Sequence, residues 1–166
     1  MTQVTNLAGG TRCLRSVLGR FATGVIAVAA QDPVSGQRSG LAANSFSSVS
    51  LDPPLVSFCV AHTSTSWPAL RSAGLLGISI LRADQREAAG RLAQRGGDKF
   101  RDLPWDRSPG GSPVLAGALA WLECAIEAEH PAGDHVIVVC RVLTLDASGE
   151  GEPLLFFRGA FGGFSH

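Results

Sequence analysis

Val25 to Ala30 reads Val-Ile-Ala-Val-Ala-Ala with no polar break, between Gly24 and the turn-forming Asp32-Pro33. The run is short and partly β-branched, which predicts a strand, and the lack of alternation means that both of its faces are covered. Val136 to Leu145 is the most apolar stretch of the chain and makes the same demand. Strands of this kind cannot sit in a sheet with one wet face, so a barrel or a layered fold is required. The 166 residues can bury roughly two-thirds of their unfolded surface, enough for one ordinary domain. Twenty glycines and nine prolines favour many turns.

The rest of the chain fits that demand. Leu14, Val17, Leu18 and Phe21 follow the spacing of one helix face, and Gly24 is read as the helix end. Asp32 to Gly36 is a turn, after which Arg38 to Asn44 returns antiparallel to the first strand. Leu55–Val60 and Leu75–Leu81 read as strands, with a short helix between them that has Pro68 in its first turn. Asp84 with Glu87 resembles a capping box, opening a helix whose Ala88, Ala89, Leu92 and Ala93 share a face. Gly96 to Ser112 reads as a long loop carrying Lys99, Phe100 and Trp105. Leu119 to Ala128 alternates, with Cys124 on the apolar side and Glu123, Glu127 and Glu129 on the other. Pro131 to Asp134 turns the chain into the strand opened by His135. A turn at Asp146 to Gly151 leads to a last strand, Leu154–Phe157, and an aromatic tail with Phe161 and Phe164. The expectation is a mainly β, closed or nearly closed antiparallel barrel of about six to eight strands with short flanking helices. Helices cover part of the outer face, and a second copy of the chain is expected to cover more.

Composition removes several function classes. Fourteen basic and fourteen acidic residues cancel, so nothing electrostatic favours a nucleic acid or an anionic membrane. No apolar run is long enough to span a bilayer. Residues 1–10 lack a signal-peptide pattern and read as a loose tail ahead of one domain over 11–166. Cys13, Cys59, Cys124 and Cys140 are widely spaced with no C-x-x-C, which suits reduced thiols in a cytoplasm. No Ser-His-Asp pattern, metal cluster or catalytic carboxylate pair is evident.

Two polar features remain. Between Gly40 and Pro54, Asn44, Ser45, Ser47, Ser48 and Ser50 stand among apolar residues, and the alternation slips between Ser47 and Ser48, where a bulge or tight turn is expected. Small hydroxyls and freed backbone N–H groups suit the polar edge of a planar heterocycle; a solvated strand end stopped by Asp-Pro-Pro reads the same residues equally well. Ser64, Thr65 and Ser66 stand at the mouth of the Pro68 helix, where a phosphate would find N–H groups and a favourable dipole. Plain N-capping also accounts for one of them.

The blocks Arg15-x-x-x-Gly19-x-Phe21-x-Thr23-Gly24-Val25, Asn44-Ser45-Phe46-x-Ser48-Val49-Ser50-Leu51-Asp52-Pro53-Pro54-Leu55-Val56 and Gly133-Asp134-His135 together resemble the flavin reductase family. Leu119 to Cys124 also resembles the family strand before the last block. The resemblance implies the FMN-binding split barrel, an antiparallel Greek-key-like barrel, and an NAD(P)H:flavin oxidoreductase using FMN or FAD with NADH or NADPH. It implies a homodimer that supplies reduced flavin to a separate monooxygenase. Ala42, Asn44, Ser45 and Ser48 would line the flavin, Ser64, Thr65 and Ser66 would take its phosphate, and Phe100 beside Lys99 would close over it. His135 is the expected catalytic residue, near the nicotinamide with Phe161 and Arg158. A strand-start histidine bonded to a turn carbonyl is the plainer reading of His135, and an exposed strand-end arginine that of Arg158. Position 42 is Ala where the family often has a hydroxyl, and Phe161 stands where a Tyr is common. The alternative function on the same fold is a non-enzymatic flavin-binding electron carrier or sensor without a productive NAD(P)H site. A relative that oxidises a small metabolite or binds haem is a third, and no histidine sits in a clear axial setting for haem.

Overall fold

The computed structural model describes residues 10–147 and 149–164; the tail expected over residues 1–10 otherwise lies outside them, and Gly10 opens the first helix. Helix α1 (Gly10–Leu18) is followed by β1 (Thr23–Gly24), β2 (Ile26–Gln31), β3 (Arg38–Ala43), β4 (Ser47–Leu51) and β5 (Pro54–Ala61). Helix α2 (Trp67–Ser72), β6 (Leu75–Ile80) and α3 (Arg86–Ala93) come next. Then come β7 (Trp105–Arg107), β8 (Pro113–Leu115), β9 (Ala120–Ala132), β10 (His135–Asp146), β11 (Leu155–Phe157) and β12 (Ala160–Gly162).

Seven strands form one antiparallel sheet in the order β3-β2-β6-β9-β10-β5-β4. Its two edge strands, β3 and β4, are consecutive in the chain and joined only by Asn44 to Phe46. Three residues span about 10 Å at most, so the sheet must curl until its edges meet, which makes it a barrel. β5 and β6 are separated in the sheet by β10 and β9. Their connection therefore crosses a barrel end, and α2 lies in it. Trp67 and Leu70 of α2 are buried there, with the Trp67 ring edge-on to Phe58 at 5.9 Å.

The unbroken run of β2 now has its cause. Ile26, Val28 and Ala30 point into the barrel with Phe58, Leu76, Ile78 and Val138. Val25 and Ala27 point outward, under Ala88, Ala89 and Leu92 of α3, with Leu81, Leu115 and Leu154. Ala88, Ala89 and Leu92 of the expected apolar face of α3 are thus the outer cover of β2, while Ala93 is exposed. The β2–β3 hairpin also forms as expected, with Gln31 opposite Arg38. Its turn is held by Asp32 Oδ1, which accepts the N–H groups of Val34 and Ser35 at 3.0 and 2.7 Å.

Several expectations need correction. Helix α1 stops at Leu18 rather than Gly24, because Thr23 and Gly24 are drawn into pairing with Phe156 and Leu155. Its apolar face is left largely uncovered among the described residues: Leu14, Val17, Leu18 and Phe21 are 44%, 60%, 62% and 77% exposed. The strand irregularity falls at Val49, between Ser48 and Ser50, one residue beyond its expected place. The box at α3 is closed by Gln85 Oε1, which accepts the Arg82 N–H at 3.0 Å, while Asp84 binds the Arg82 guanidinium and Glu87 binds Arg91. The long loop contains a small hairpin, β7 on β8, and Phe161 lies in a strand, β12, rather than a tail.

The outer face of β9 is covered in a way that alternation does not give. Glu123 is not in solvent; it is 3% exposed. Its carboxylate accepts the Ser108 hydroxyl and the N–H groups of Gly110 and Ser112, the latter two at 3.0 and 3.3 Å. Gly77 lies opposite Glu123 on β6, and a Cβ at Gly77 would stand 2.1 Å from the Pro113 carbonyl oxygen. One step along, the buried Ser79 hydroxyl accepts the Leu115 N–H at 2.9 Å. Gly77, Ser79 and Glu123 therefore form the dock on which the far end of the long loop rests. Burial alone would raise the Glu123 pKa, but the hydrogen bonds from Ser108, Ser112 and Gly110 outweigh it and hold the carboxyl below its ordinary value. Its stabilising contribution is then complete above the ordinary carboxylate range and lost as pH falls through its own, lower value. Glu123→Gln is expected to cost about 1–3 kcal/mol at pH 7 and to flatten the acid limb of stability. Urea unfolding from pH 7 to pH 3 measures both, and an unchanged acid limb would refute the role given to Glu123.

Candidate active site

β3 pairs with β2 on one side only, and its other edge faces the seam where the barrel closes. Ser45, just beyond β3, closes that seam with its side chain. Its hydroxyl accepts the Cys59 N–H at 2.8 Å and donates to the Cys59 carbonyl at 3.3 Å, standing in for a ladder pair that the backbone does not make. A cleft of about 360 Å³ opens along the seam. One wall is the end of β3 with Asn44 and Ser45. The facing wall is the end of β5 with Thr63 to Ser66, and the rim is made by the end of α3, Lys99 and His135.

Of the expected site residues, the cleft brings together Ala42, Asn44, Ser45, Ser64, Thr65, Ser66, Lys99 and His135. Phe100 lines an adjoining recess instead, together with Lys99, Thr65 and Ser66. Phe161 borders a small apolar hollow of about 160 Å³ on the other side of Ala42 and Asn44, beside Val25, Ala93 and Phe156. Ser48 is exposed on β4, opposite Val56, and lines neither space. Arg158 stands in the β11–β12 turn with a left-handed backbone (φ 51°), and its guanidinium lies 5.0 Å from the centre of the Phe157 ring. Its N–H donates to the Gly19 carbonyl at 2.8 Å, so it braces the segment after α1.

The chemistry of the cleft is set by its two ends. At one end the Lys99 ammonium donates to Ser66 Oγ at 2.9 Å, the Leu92 carbonyl at 3.1 Å and the Gly40 carbonyl at 3.3 Å. All three acceptors are neutral, and burial pushes the Lys99 pKa down. A cation without an acidic partner, beside three hydroxyl residues, is a site for an anion. The Ser66 side chain caps no helix N–H, which leaves its hydroxyl to Lys99. Gly40 makes the arrangement possible: a Cβ there would stand 2.8 Å from Leu92 Cδ2 and 2.9 Å from Phe100 Cζ.

At the other end, His135 opens β10 beside Ala61. Its Nδ1 is 2.6 Å from Asp134 Oδ1, so its partner is a carboxylate and not a turn carbonyl. Asp134 is held below the ordinary carboxylate range by the hydrogen bond to His135 and by its charge. With Nδ1 engaged, Nε2 is the imidazole atom left for a ligand.

Among the described residues, no Asp or Glu lines the cleft. Sequence reasoning missed Arg95, which reaches over the rim to Thr63 Oγ1 at 3.4 Å, and Cys59 in the facing wall. Arg95 precedes a Gly-Gly pair at the end of a helix, a place where a basic residue needs no ligand to explain it.

The family model described as "Flavin reductase like domain" matches residues 18–165. The chain is 45% identical over 155 residues to the FMN reductase (NADH) SmoA of Agrobacterium fabrum, covering 93% of this chain and 87% of that protein. It is 41% identical over 152 residues to the flavin-dependent monooxygenase reductase subunit HsaB of Rhodococcus jostii, covering 92% and 77%. The crystal structure of the NADH:FAD oxidoreductase SgcE6 of Streptomyces globisporus superposes with a TM-score of 0.89 at 36% identity, covering 99% of this chain and 98% of that one. By the reach of the family match and the identity of these relatives, the chain belongs to the flavin reductase-like domain family.

Proposed function

We propose that the chain is an NADH-dependent flavin reductase acting from the seam cleft, and that it supplies reduced flavin to a separate monooxygenase. The observation that carries the site assignment is that one cleft walled by small residues is lined both by the Lys99–Ser66 anion site and by His135, whose Nδ1 is held by Asp134. The fit to a flavin is chemical: an uncompensated half-buried cation for its phosphate, and an unpaired strand edge for the polar rim of its ring. When bound, the flavin supplies the acceptor for the hydride of NADH. Asn44, the outer edge of β3 at Ala42, and Ser45 through its backbone hold the ring; Ser64, Thr65, Ser66 and Lys99 hold the phosphate. Ser45 also fixes the distance between the two cleft walls, and His135, oriented by Asp134, presents Nε2 to the nicotinamide as a hydrogen-bonding partner. Phe161 and the apolar hollow beside it keep water from the inner side of Ala42. Ser48 and Arg158 have no contact with the cleft and take no part in this reading.

The one domain and its homodimeric state belong to the same proposal. The bare apolar face of α1 is the surface a second copy would cover. The four free cysteines include Cys124 and Cys140, whose thiols burial pushes up to about 12; protonated buried thiols suit a reducing cytoplasm.

Three measurements test the reading. NADH oxidation, followed by absorbance, is expected to saturate with added FMN or FAD, and His135→Ala is expected to slow it roughly tenfold, the worth of one hydrogen bond, with flavin affinity retained. Tight flavin binding without turnover would assign the carrier role instead. Lys99→Met is expected to weaken FMN on the order of tenfold relative to riboflavin; equal losses for both would remove the phosphate from that end. Sedimentation is expected to give a dimer that Val17→Asp splits, and a monomeric wild type would refute the role of α1.

A further inference from the structure

We infer that the recess beside the cleft takes the adenylate half of FAD, so that the chain binds FAD in preference to FMN; this rests on the flavin reading above. The recess, about 630 Å³, shares Thr65, Ser66 and Lys99 with the flavin cleft. The Lys99 ammonium and the Ser66 hydroxyl are thus a common wall between the two spaces, and a ligand whose phosphate sits there has room on both sides. β3 runs through both. Its Ala42–Ala43 end lines the cleft, and its Arg38, Ser39 and Gly40 line the recess. From Asn44 back to Arg38 the path is about 20 Å at the rise of an extended strand. A ribityl phosphate that ends at Ser66 and Lys99 leaves the Arg38 end of that path free.

The residues at the free end suit adenosine and not a second flavin ring or a bare anion. The Phe100 ring has the Arg38 guanidinium 5.3 Å from its centre and the Trp105 ring centre 4.8 Å away at a tilt of 42°. Arg38 is exposed, so its planar guanidinium is open to a flat neutral heterocycle. The opposite rim is Gly96 and Gly97, both left-handed (φ 72° and 73°), where an added Cβ would meet nothing within 4 Å; the rim is bare backbone over open space. Asp98 is the acidic residue of the recess. Its Oδ1 accepts the Phe100 N–H at 3.1 Å and its Oδ2 lies 3.7 Å from Arg101, which leaves Lys99 to the phosphates.

The adenylate of NADH has the same chemistry, and continuity with the flavin phosphate site favours FAD as its source. The test is a fluorescence titration of the full chain with FAD and with FMN in the absence of NADH, for the wild type and for Arg38→Ala. The wild type is expected to bind FAD more tightly than FMN, and Arg38→Ala to raise the ratio of the FAD Kd to the FMN Kd roughly tenfold, the scale of one desolvated cation–π stack. A ratio that Arg38→Ala leaves unchanged, with both flavins still bound, overturns the subsite and leaves the reductase reading standing. An unchanged ratio with a raised NADH KM overturns it in favour of the nicotinamide dinucleotide. Binding of neither flavin by the wild type overturns the subsite and the flavin reading together.

Discussion

The structure depends on the closure of one seam. Five of the seven barrel strands have a ladder partner on each side, but the two edge strands, β3 and β4, have only one each. The chain passes from β3 to β4 through three residues, and within them Ser45 supplies with its hydroxyl the two hydrogen bonds to Cys59 that a strand would have supplied with its backbone. A side-chain clasp holds two walls together at one point and leaves them apart on either side of it. The cleft is that gap. A barrel closed by a full ladder at β3 would have no strand edge to offer a heterocycle, and one with no clasp would let the walls drift. The polar stretch after Gly40 is therefore polar for two reasons at once, since it completes the fold and leaves backbone groups exposed at the site.

The second support lies on the opposite side of β6 and β9, where the dock made by Gly77, Ser79 and Glu123 receives the loop between α3 and β9. Lys99 and Phe100 leave α3 at the near end of this loop, and the far end is held by the carboxylate of Glu123. Phe100 packs on Trp105, Trp105 lies opposite Leu115 in the small hairpin, and Leu115 is bonded to Ser79. The position of the proposed phosphate ligand is thus fixed at one end by α3 and at the other by a buried acid in the sheet. Each link is a packed or hydrogen-bonded contact, so the loop is a formed part of the site and not a free lid.

What could be read from the sequence follows the range of the interactions responsible. The two-faced burial of β2, the β2–β3 hairpin and the Ala-rich face of α3 were legible because period and turn chemistry are local signals. Glu123 was placed only on the face opposite the apolar one, because alternation assigns a face and cannot say what covers it; a loop returning from fifteen residues upstream does. Helix α1 was extended to Gly24 because Thr23 and Gly24 carry no sign of their pairing with β11, at the other end of the chain. At the candidate site, Asn44 and Ser45 of the Asn-Ser-Phe block and the Ser-Thr-Ser triplet line one cleft. Ser48 was misleading, since the irregularity at Val49 leaves it outside the cleft. Arg95 and Asp134 gained meaning only from neighbours that the fold supplies.

The relatives include an FMN reductase and an NADH:FAD oxidoreductase, 45% and 36% identical to this chain, and the proposed site has one constrained end and one free end. The end of the cleft proposed for the flavin ring is built from the seam, where Ala42, Asn44 and Ser45 are constrained by barrel closure. Change there threatens the fold. The far end is built from the start of β3 and from the Gly96–Phe100 segment, whose exposed Arg38, Gly96 and Gly97 carry little of the core. Substitutions at that end alter what lies beyond the phosphate at small cost in stability, so discrimination between a mononucleotide and a dinucleotide can vary while the hydride-accepting ring keeps its place. On the proposed reading the barrel separates the place of the flavin ring from the choice of carrier, with the Lys99–Ser66 wall as the boundary between them.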